Sequence, residues 1–427
     1  MKLMIESLAY FIYQILSLTW PFIGIILLAR IAWFMWMHYI QSDFISGIEF
    51  VLLEIVPPRE VLRSPKAMEL FFTNALYHLS KKGGLEAYWS GGVQLWFSLE
   101  IASIDGQVHF YIRVPSRLKE LVETQMYAQY PQAQIKEVED YSLSVDKVVH
   151  NGDWDFWGCE FDLEKPEAYP IKTYVDLGLD KDPKEEYKVD PISPVIELFG
   201  SIHKGEQMWM QIVITPAIKE YHTNGTRYEH HDWVKEAENE MKSLSKEFTK
   251  VSEEGISEIK VPKWTEPVLD GMTRKTAKIG FEVGIRVCYA AKKGFSNPNN
   301  KKSMRLVFRQ YANPQSNSFK RINSTGRGAY GGIFLISPEK ATRIAARMLL
   351  EYQERAFFHP PLRHYLLGGL PWPVSPSVFP NFFHAHTFVL NVEELATIWH
   401  FPGQVLQVPT LERIESKQSA PPTNLPT

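Results

Sequence analysis

Residues Ser7–Ala29 read SLAYFIYQILSLTWPFIGIILLA, with no charged side chain, and Lys2, Glu6 and Arg30 mark the edges. At 1.5 Å rise per residue a helix of this length spans the roughly 30 Å hydrocarbon core of a bilayer with room for tilt. Trp33 and Trp36, just past Arg30, suit an interfacial belt in which a ring sits half in lipid and half in water. Pro21 breaks a soluble helix but is tolerated in lipid, where neighbouring turns and the Ser17 and Thr19 hydroxyls take up freed carbonyls. A signal peptide has a shorter apolar core that ends at small residues. The reading is an uncleaved anchor, residues 1–45 with its neck, carrying a water-soluble body.

Net charge is −3, so a general electrostatic grip on nucleic acid is not indicated. The two cysteines, Cys159 and Cys288, sit in apolar runs and fit a reducing compartment. Lys2 and the terminal amine compete with Arg30, Arg59, Arg63 and Lys66 across the anchor. The larger downstream count places the body in the cytoplasm and the single-pass anchor in the inner membrane.

Working outward, Ile48–Val56 is β-like and stops at Pro57-Pro58. Ser64-Pro65 caps a helix with Met68, Leu70, Phe71, Ala75, Leu76 and Leu79 on its apolar side. A Gly-rich turn leads to the strand Val93–Ile101, a tight Asp105-Gly106 turn and the strand Val108–Val114. An amphipathic helix, Ser116–Tyr130, and a strand, Ala133–Val138, complete β-α-β-β-α-β over residues 46–145. This is the ferredoxin-like split order.

The order repeats over residues 146–335. Ser64–Phe71 has an echo in Ser193–Phe199, and Gln94–Leu99 in Gln207–Ile212, which points to an internal duplication. In the second copy Lys172–Leu177 is expected as the first strand, Phe281–Ala290 as the third, Ser303–Tyr311 as the second helix and Ser318–Ile322 as the last strand. Two half-covered sheets are then expected to bury their apolar faces against each other. The second copy carries an insertion, about 219–274, predicted to hold a charged helix from Glu229 to Glu254. Its seam of Trp233, Ala237, Met241, Leu244, Phe248 and Val251 suits packing on its own domain or a projecting arm for a partner or self-association. The C-terminal helical and Pro-rich segment, 336–402, opens with a helix from Ser337-Pro338 to about Phe358. His386–Leu390 and a capping box of Asn391 with Glu394 on Val392–His400 follow. Residues 403–427 have the composition of a flexible tail. The fold class is therefore α+β: an N-terminal transmembrane helix, two ferredoxin-like modules, and a C-terminal helical segment with a disordered tail.

Chemistry is sparse. Gly326–Gly331 matches G-x-G-x-x-G literally but runs into the strand-like Gly332–Leu335 instead of a helix, so it reads as a loop. His222, His230, His231 and Asp232, and His384 with His386, lack metal-ligand spacing. Glu185 and Glu186 read as solvated charge. No nucleophile elbow and no G-x-x-x-x-G-K-[ST] occurs, so no P-loop and no catalytic, cofactor or metal site is assigned. Trp96 and Trp209 are candidate stacking platforms for a nucleic-acid- or peptide-binding alternative, although their apolar neighbours favour core packing.

Leu53-Glu54-Ile55, Pro57–Glu60, Ser64–Glu69, Gly205–Gln211, Gly284-Ile285-Arg286 and Glu393–Pro402 together resemble an uncharacterised bacterial membrane-anchored family. In that family such a region precedes, or is encoded beside, a HerA/TraG-like ATPase of the conjugative coupling-protein type. The resemblance implies an accessory role in type IV secretion or DNA translocation. Since residues 1–427 hold no Walker motif, the ATPase is expected on a separate chain. The expected contact residues are Asn391, Glu394, Trp399, His400 and Phe401, with Trp233, Met241 and Phe248 on the inserted helix.

Overall fold

The computed structural model describes residues 2–58, 61, 63–79, 88–146, 148, 152–181, 190–217, 221–222, 230–247, 249–251, 257–259, 265–325, 338–359, 387–403 and 411. They belong to two compact units. One comprises Met1–Ile48, Ser80–Val93 and Pro361–Pro380, and the other Glu49–Leu79, Gln94–Pro360 and Asn381–Thr427.

In the first unit the apolar stretch becomes one 45-residue helix, α1 (Lys2–Ser46), with Pro21 inside it. The helix outruns the expected span because nothing after Arg30 stops it before Gly47. The Ser17 hydroxyl donates to the Gln14 carbonyl one turn earlier, at 2.9 Å. Trp20, Phe22, Ile25, Ile26 and Leu28 are all exposed. Within α1 the most apolar 18-residue window of Thr19–Ser46 has a mean hydropathy of 1.6, and none of it is buried. Exposed apolar side chains on this scale are not how a helix serves a soluble core. By length and composition α1 can cross a membrane.

The second unit is built on one large antiparallel sheet. Its first half contains β1 (Phe50–Val56), α2 (Lys66–Phe71, continued by a π turn over Phe72–Leu76), β2 (Phe97–Ile104), β3 (Gln107–Pro115), α3 (Lys119–Gln129) and β4 (Gln134–Val138). The Asp105-Gly106 turn joins β2 to β3 with φ of 54° and 90°, the left-handed pair that a two-residue hairpin requires. α2 differs from expectation in two details. Its N-cap is Pro65, with no side-chain cap bond, and Leu70 and Leu79 are exposed. The π turn at Phe72 shifts the inward stripe to Met68, Phe71, Phe72 and Ala75, and the helix ends before Leu79.

The second half repeats this order with β5 (Trp154–Leu163), α4 (Ser193–Gly200), β6 (Glu206–Pro216), β11 (Gly280–Lys292), α7 (Pro298–Met304) and β12 (Phe319–Ile322), using strand labels that count the insertion described below. Its first strand is β5. The expected strand Lys172–Leu177 is a run of turns, because the Asp176 carboxylate accepts from both the Thr173 N–H and hydroxyl and folds the segment back on itself. α7 starts at Pro298, where the Asn297 side chain accepts from Asn299 N–H, earlier than the expected Ser303.

The strand path is β12-β5-β11-β6-β2-β3-β1-β4. Contrary to the expectation that they bury faces against each other, the halves do not stack. They join edge to edge, β6 beside β2, into one sheet. Leu99 faces Ile212 at the join, and one row runs across six strands as Leu53, Ile112, Leu99, Ile212, Ile285 and Phe161. Every member of that row is buried. These side chains belong to the larger core, which also holds residues of α2, α3, α4 and α7. On the opposite face Leu52, Ala102, Tyr111, Trp209 and Cys288 pack with Ala345, Met348, Leu349 and Tyr352 of α8 (Pro338–Glu354). Covering both faces explains why the central strands read as nearly continuous apolar runs. Trp96 and Trp209 are buried, so neither is a stacking platform.

The insertion is not one long helix. β7 (Tyr221–His222) pairs with β8 (His230–His231), and α5 (Trp233–Glu247) follows. A second small hairpin, β9 (Thr249–Val251) with β10 (Ser257–Ile259), leads to α6 (Glu266–Thr276). The heptad-like seam packs inward. Ala237, Met241 and Leu244 meet Ala168, Val268 and Met272, while Trp233 packs with Ala217 and Val389. β13 (Phe388–Asn391) then pairs with Gly280–Val283 of β11, the part of that long strand that β5 does not reach.

Candidate functional site

The expected contact residues at the C-terminal end lie inside the body. Asn391 caps α9 (Val392–Ile398) through a complete capping box. Its Oδ1 accepts from Glu394 N–H at 2.8 Å, and Glu394 Oε2 accepts from Asn391 N–H at 3.0 Å. The other Glu394 oxygen accepts from Ile171 N–H at 3.0 Å. Lys275 Nζ stands 3.0 Å from Glu394, with both side chains 0% exposed, and donates to the Val389 carbonyl. Glu393 accepts from the Thr173 hydroxyl at 2.6 Å and pairs with Arg274 and Lys278 at 3.0 and 2.9 Å. Lys278 reaches Glu69 of α2 as well, and the Tyr174 hydroxyl donates to the same carboxylate. Burial, helped by that bond to Glu69, pushes the Tyr174 hydroxyl well above the phenol range.

Trp399 donates toward the Glu100 carbonyl at 3.4 Å and packs on Phe72, Phe110 and Phe401. The His400 ring nitrogens face the Ala396 carbonyl and Asp190 Oδ1, both at 2.9 Å. Burial alone would raise the Asp190 carboxyl, but His400 and the N–H groups of Gly403 and Ile192 hold it below its usual range. Asn391, Glu394, Trp399, His400 and Phe401 are all buried and offer a partner no surface. Instead they tie β13 and α9 to α2, α6 and the 171–176 turn. Of the inserted-helix candidates, Trp233 is buried, Met241 packs against the α6 cluster, and Phe248 lies outside the described residues.

A second polar array, not anticipated from the sequence, runs across the sheet beside the apolar row. Glu54, Tyr111, Glu100, Gln211, Arg286 and Glu160 stand in register on adjacent strands. Arg355, just past α8, pairs with Glu100 at 2.9 Å and with Asp140. Ser98 and Tyr141 donate to Glu100 at 2.6 and 2.7 Å, and Tyr141 and Tyr352 share a 2.6 Å bond. Arg286 meets Glu160 at 2.6 Å and Glu351 at 3.4 Å, and lies 4.2 Å from the centroid of the Phe357 ring. Burial raises the Glu160 carboxyl, and neighbouring Glu351 adds to the rise against the pull of Arg286. Glu100, Asp140, Glu160 and Glu351 each face an arginine, as burial of a carboxylate demands. The signal for the array is present in the sequence as Glu100, Arg286 and Glu160, charges set inside apolar strands.

The remaining candidates settle simply. Asp232 caps α5 by accepting from the Val234 and Lys235 N–H groups, and His222 faces His230 in the small hairpin. Among the described residues no group of three or more His, Cys, Asp or Glu side chains could hold a metal ion. Cys159 and Cys288 are free and buried. They sit on neighbouring strands, with Val287 opposite Cys159, and pack on opposite faces of the sheet. Gly326–Gly331, His384, His386, Glu185 and Glu186 lie outside the described residues, as does the 403–427 tail apart from Gly403 and Leu411, the latter buried and bridged to Val108.

These features define a mixed α+β protein with a large antiparallel sheet, an N-terminal helix able to cross a membrane, and interior charges bonded to one another. Residues 53–328, more than half of the chain, match the family described as Domain of unknown function (DUF8128), and the chain belongs to that family. No curated protein and no solved structure matches it.

Proposed function

We propose that this chain is a non-catalytic, membrane-tethered scaffold of a type IV secretion or conjugative DNA-translocation machine. It sits on the cytoplasmic side of the inner membrane and serves a separately encoded HerA/TraG-like P-loop ATPase. The observation that carries the reading is the pairing of an apolar, unburied α1 with a body whose interior acids and bases bond one another. The segments that carry the family resemblance support it by their place in the fold. Leu53-Glu54-Ile55 lies in β1, Gln207–Gln211 in β6, Gly284-Ile285-Arg286 in β11, and Glu393–Pro402 in the α9 clasp.

We further infer that the body is a duplicated pair of ferredoxin-like modules. The strand orders β4-β1-β3-β2 and β12-β5-β11-β6 support this, as does the shared Ile-Arg-Val that faces Leu99 in one half and Ile212 in the other. Because Asn391 through Phe401 is interior, the ATPase contact is assigned to the outward side of α5. Lys235, Glu238 and Lys242 there have side chains 67%, 52% and 67% exposed.

Two measurements test the proposal. The full chain should stay with the membrane pellet through a carbonate wash; release into the supernatant removes the tether. A P-loop ATPase encoded beside this gene should co-purify with the detergent-solubilised chain, and charge reversal at Lys235, Glu238 and Lys242 should abolish that. Retention by the triple variant moves the contact elsewhere, and failure of the parent chain to retain any such ATPase removes the scaffold reading.

A further inference from the structure

We propose that residues Tyr88 and Trp89 form a second membrane-contact element, which docks on α1 and, with Trp33, Trp36 and Tyr39, makes an aromatic collar at the lipid headgroup–acyl boundary. The inference rests on the tether reading and fixes how deep the tether sits.

The collar is assembled from two stretches of chain about fifty residues apart, and three features hold it together. The Trp36 indole donates to the Tyr88 carbonyl at 3.2 Å. The Tyr88 ring lies 5.5 Å from Trp33, and the Trp89 ring meets Trp36 nearly edge-on at 6.0 Å. Gly91 closes the turn at φ 64°, and a Cβ there would stand 2.2 Å from the Ile40 carbonyl oxygen. Only glycine lets the turn lie this close to the helix backbone. Trp33, Trp36 and Ile40 follow three- and four-residue steps, so the turn docks along one side of α1.

Docking does not cover the aromatic rings on either stretch: on the turn Trp89 is 73% and Tyr88 36% exposed, and on α1 Tyr39 is 67% and Trp33 54% exposed. Rings with an apolar body and a polar N–H or O–H, left uncovered beside an apolar helix, match the chemistry of the bilayer interface. Continuity with α1 commits the surface to lipid. The collar also sets the depth. With the boundary at Trp33–Tyr39, the uncharged Ser7–Ala29 run, about 35 Å long as a helix, fills the hydrocarbon. A span placed over Thr19–Ser46 would instead immerse Arg30, Asp43 and all five rings, at several kcal/mol for the charges.

The test uses full-length protein reconstituted into phosphatidylcholine–phosphatidylglycerol vesicles. Nitroxide labels are placed at Trp89→Cys or Ile25→Cys, and the buried Cys159 and Cys288 stay unlabelled under native conditions. Depth is read from collision with oxygen against a water-soluble nickel chelate, calibrated with lipids labelled at known positions. The expected result is a label at position 25 deep in hydrocarbon and a label at position 89 in the headgroup region. Adding Gly91→Val to the Trp89→Cys protein should move the 89 label into water, and the same change should leave the 25 label deep. A fully nickel-accessible 89 label beside a deep 25 label overturns the collar and leaves the tether standing. A 25 label in water overturns both. Dilution-sensitive spin–spin broadening at 89, the mark of a second copy, overturns the assignment to lipid. An 89 depth unmoved by Gly91→Val overturns the docking on α1.

Discussion

Replacing Lys275 with Met probes the clasp that fixes the C-terminal end of the body. Lys275 Nζ lies 3.0 Å from Glu394 with neither side chain reaching solvent, and it also satisfies the Val389 carbonyl. Met fills a similar volume but supplies no charge or donor, so Glu394 is left ionised and buried. Breaking one side of such a pair costs about 3–5 kcal/mol, roughly two to three and a half orders of magnitude in the folding equilibrium. Glu394→Gln alone keeps one acceptor for its two N–H donors, Asn391 and Ile171. Combined with Lys275→Met it removes the orphaned charge, so the double variant should be less damaged than the sum, by about 1–3 kcal/mol. Guanidinium unfolding of the detergent-solubilised chain, followed by tryptophan fluorescence, reads all three proteins. A Lys275→Met cost below about 1 kcal/mol, the range of a solvated surface pair, would refute the claim that the clasp is dry.

Further expectations follow from the same packing. A Cβ on Gly284 would lie 2.3 Å from the Phe357 ring, so Gly284→Ala should destabilise the body by about 1–3 kcal/mol through overpacking and loosen the ring from Arg286, measurable by the same unfolding assay. Glu54 is held below its ordinary value of 4.5 chiefly by its hydrogen bond to His109, against the opposing effect of burial. A lowered carboxylate contributes stability above its unfolded pKa and loses it as pH falls through the folded value. Glu54→Gln should therefore be less stable than the parent at neutral pH, and the gap should close in the acid range below 4.5; a gap that persists there counts against the pair. Burial raises both thiols, so Cys159 and Cys288 should react with a thiol reagent only after denaturation, and rapid native labelling of either would show that its strand opens.

Local chemistry was legible where a few neighbouring residues decide the outcome. Asp105-Gly106 demands left-handed backbone, and Asn391 with Glu394 satisfies its own helix end, so the hairpin and the capping box could be read directly. The echo between Gln94–Leu99 and Gln207–Ile212 located the two strands that pair across the join. It could not say whether two half-covered sheets stack or merge, because that depends on which edges meet. Trp154–Leu163 escaped notice because a strand covered on both faces loses its alternation, whereas Lys172–Leu177 alternates but spends its polar groups on a local turn. The seam from Trp233 to Val251 keeps helical spacing past the point where α5 ends at Glu247. The burial of the expected contact residues at the C-terminal end has one cause. Trp399, His400 and Phe401 are buried by groups as distant in sequence as Phe72, Glu100 and Asp190, and no short window reveals that.

The join between β2 and β6 has a consequence for how the molecule behaves when damaged. Each half alone would present a long, greasy, unpaired margin, the kind of surface that captures stray strands. Fused, each covers the other's, and the outer margins of the eight-strand path are the short β4 and β12, studded with Lys136, Glu137, Lys320 and Arg321. A proteolytic nick between Ser144 and Trp154 should accordingly yield two pieces that stay clasped and refind each other after dilution from denaturant, while either piece by itself precipitates.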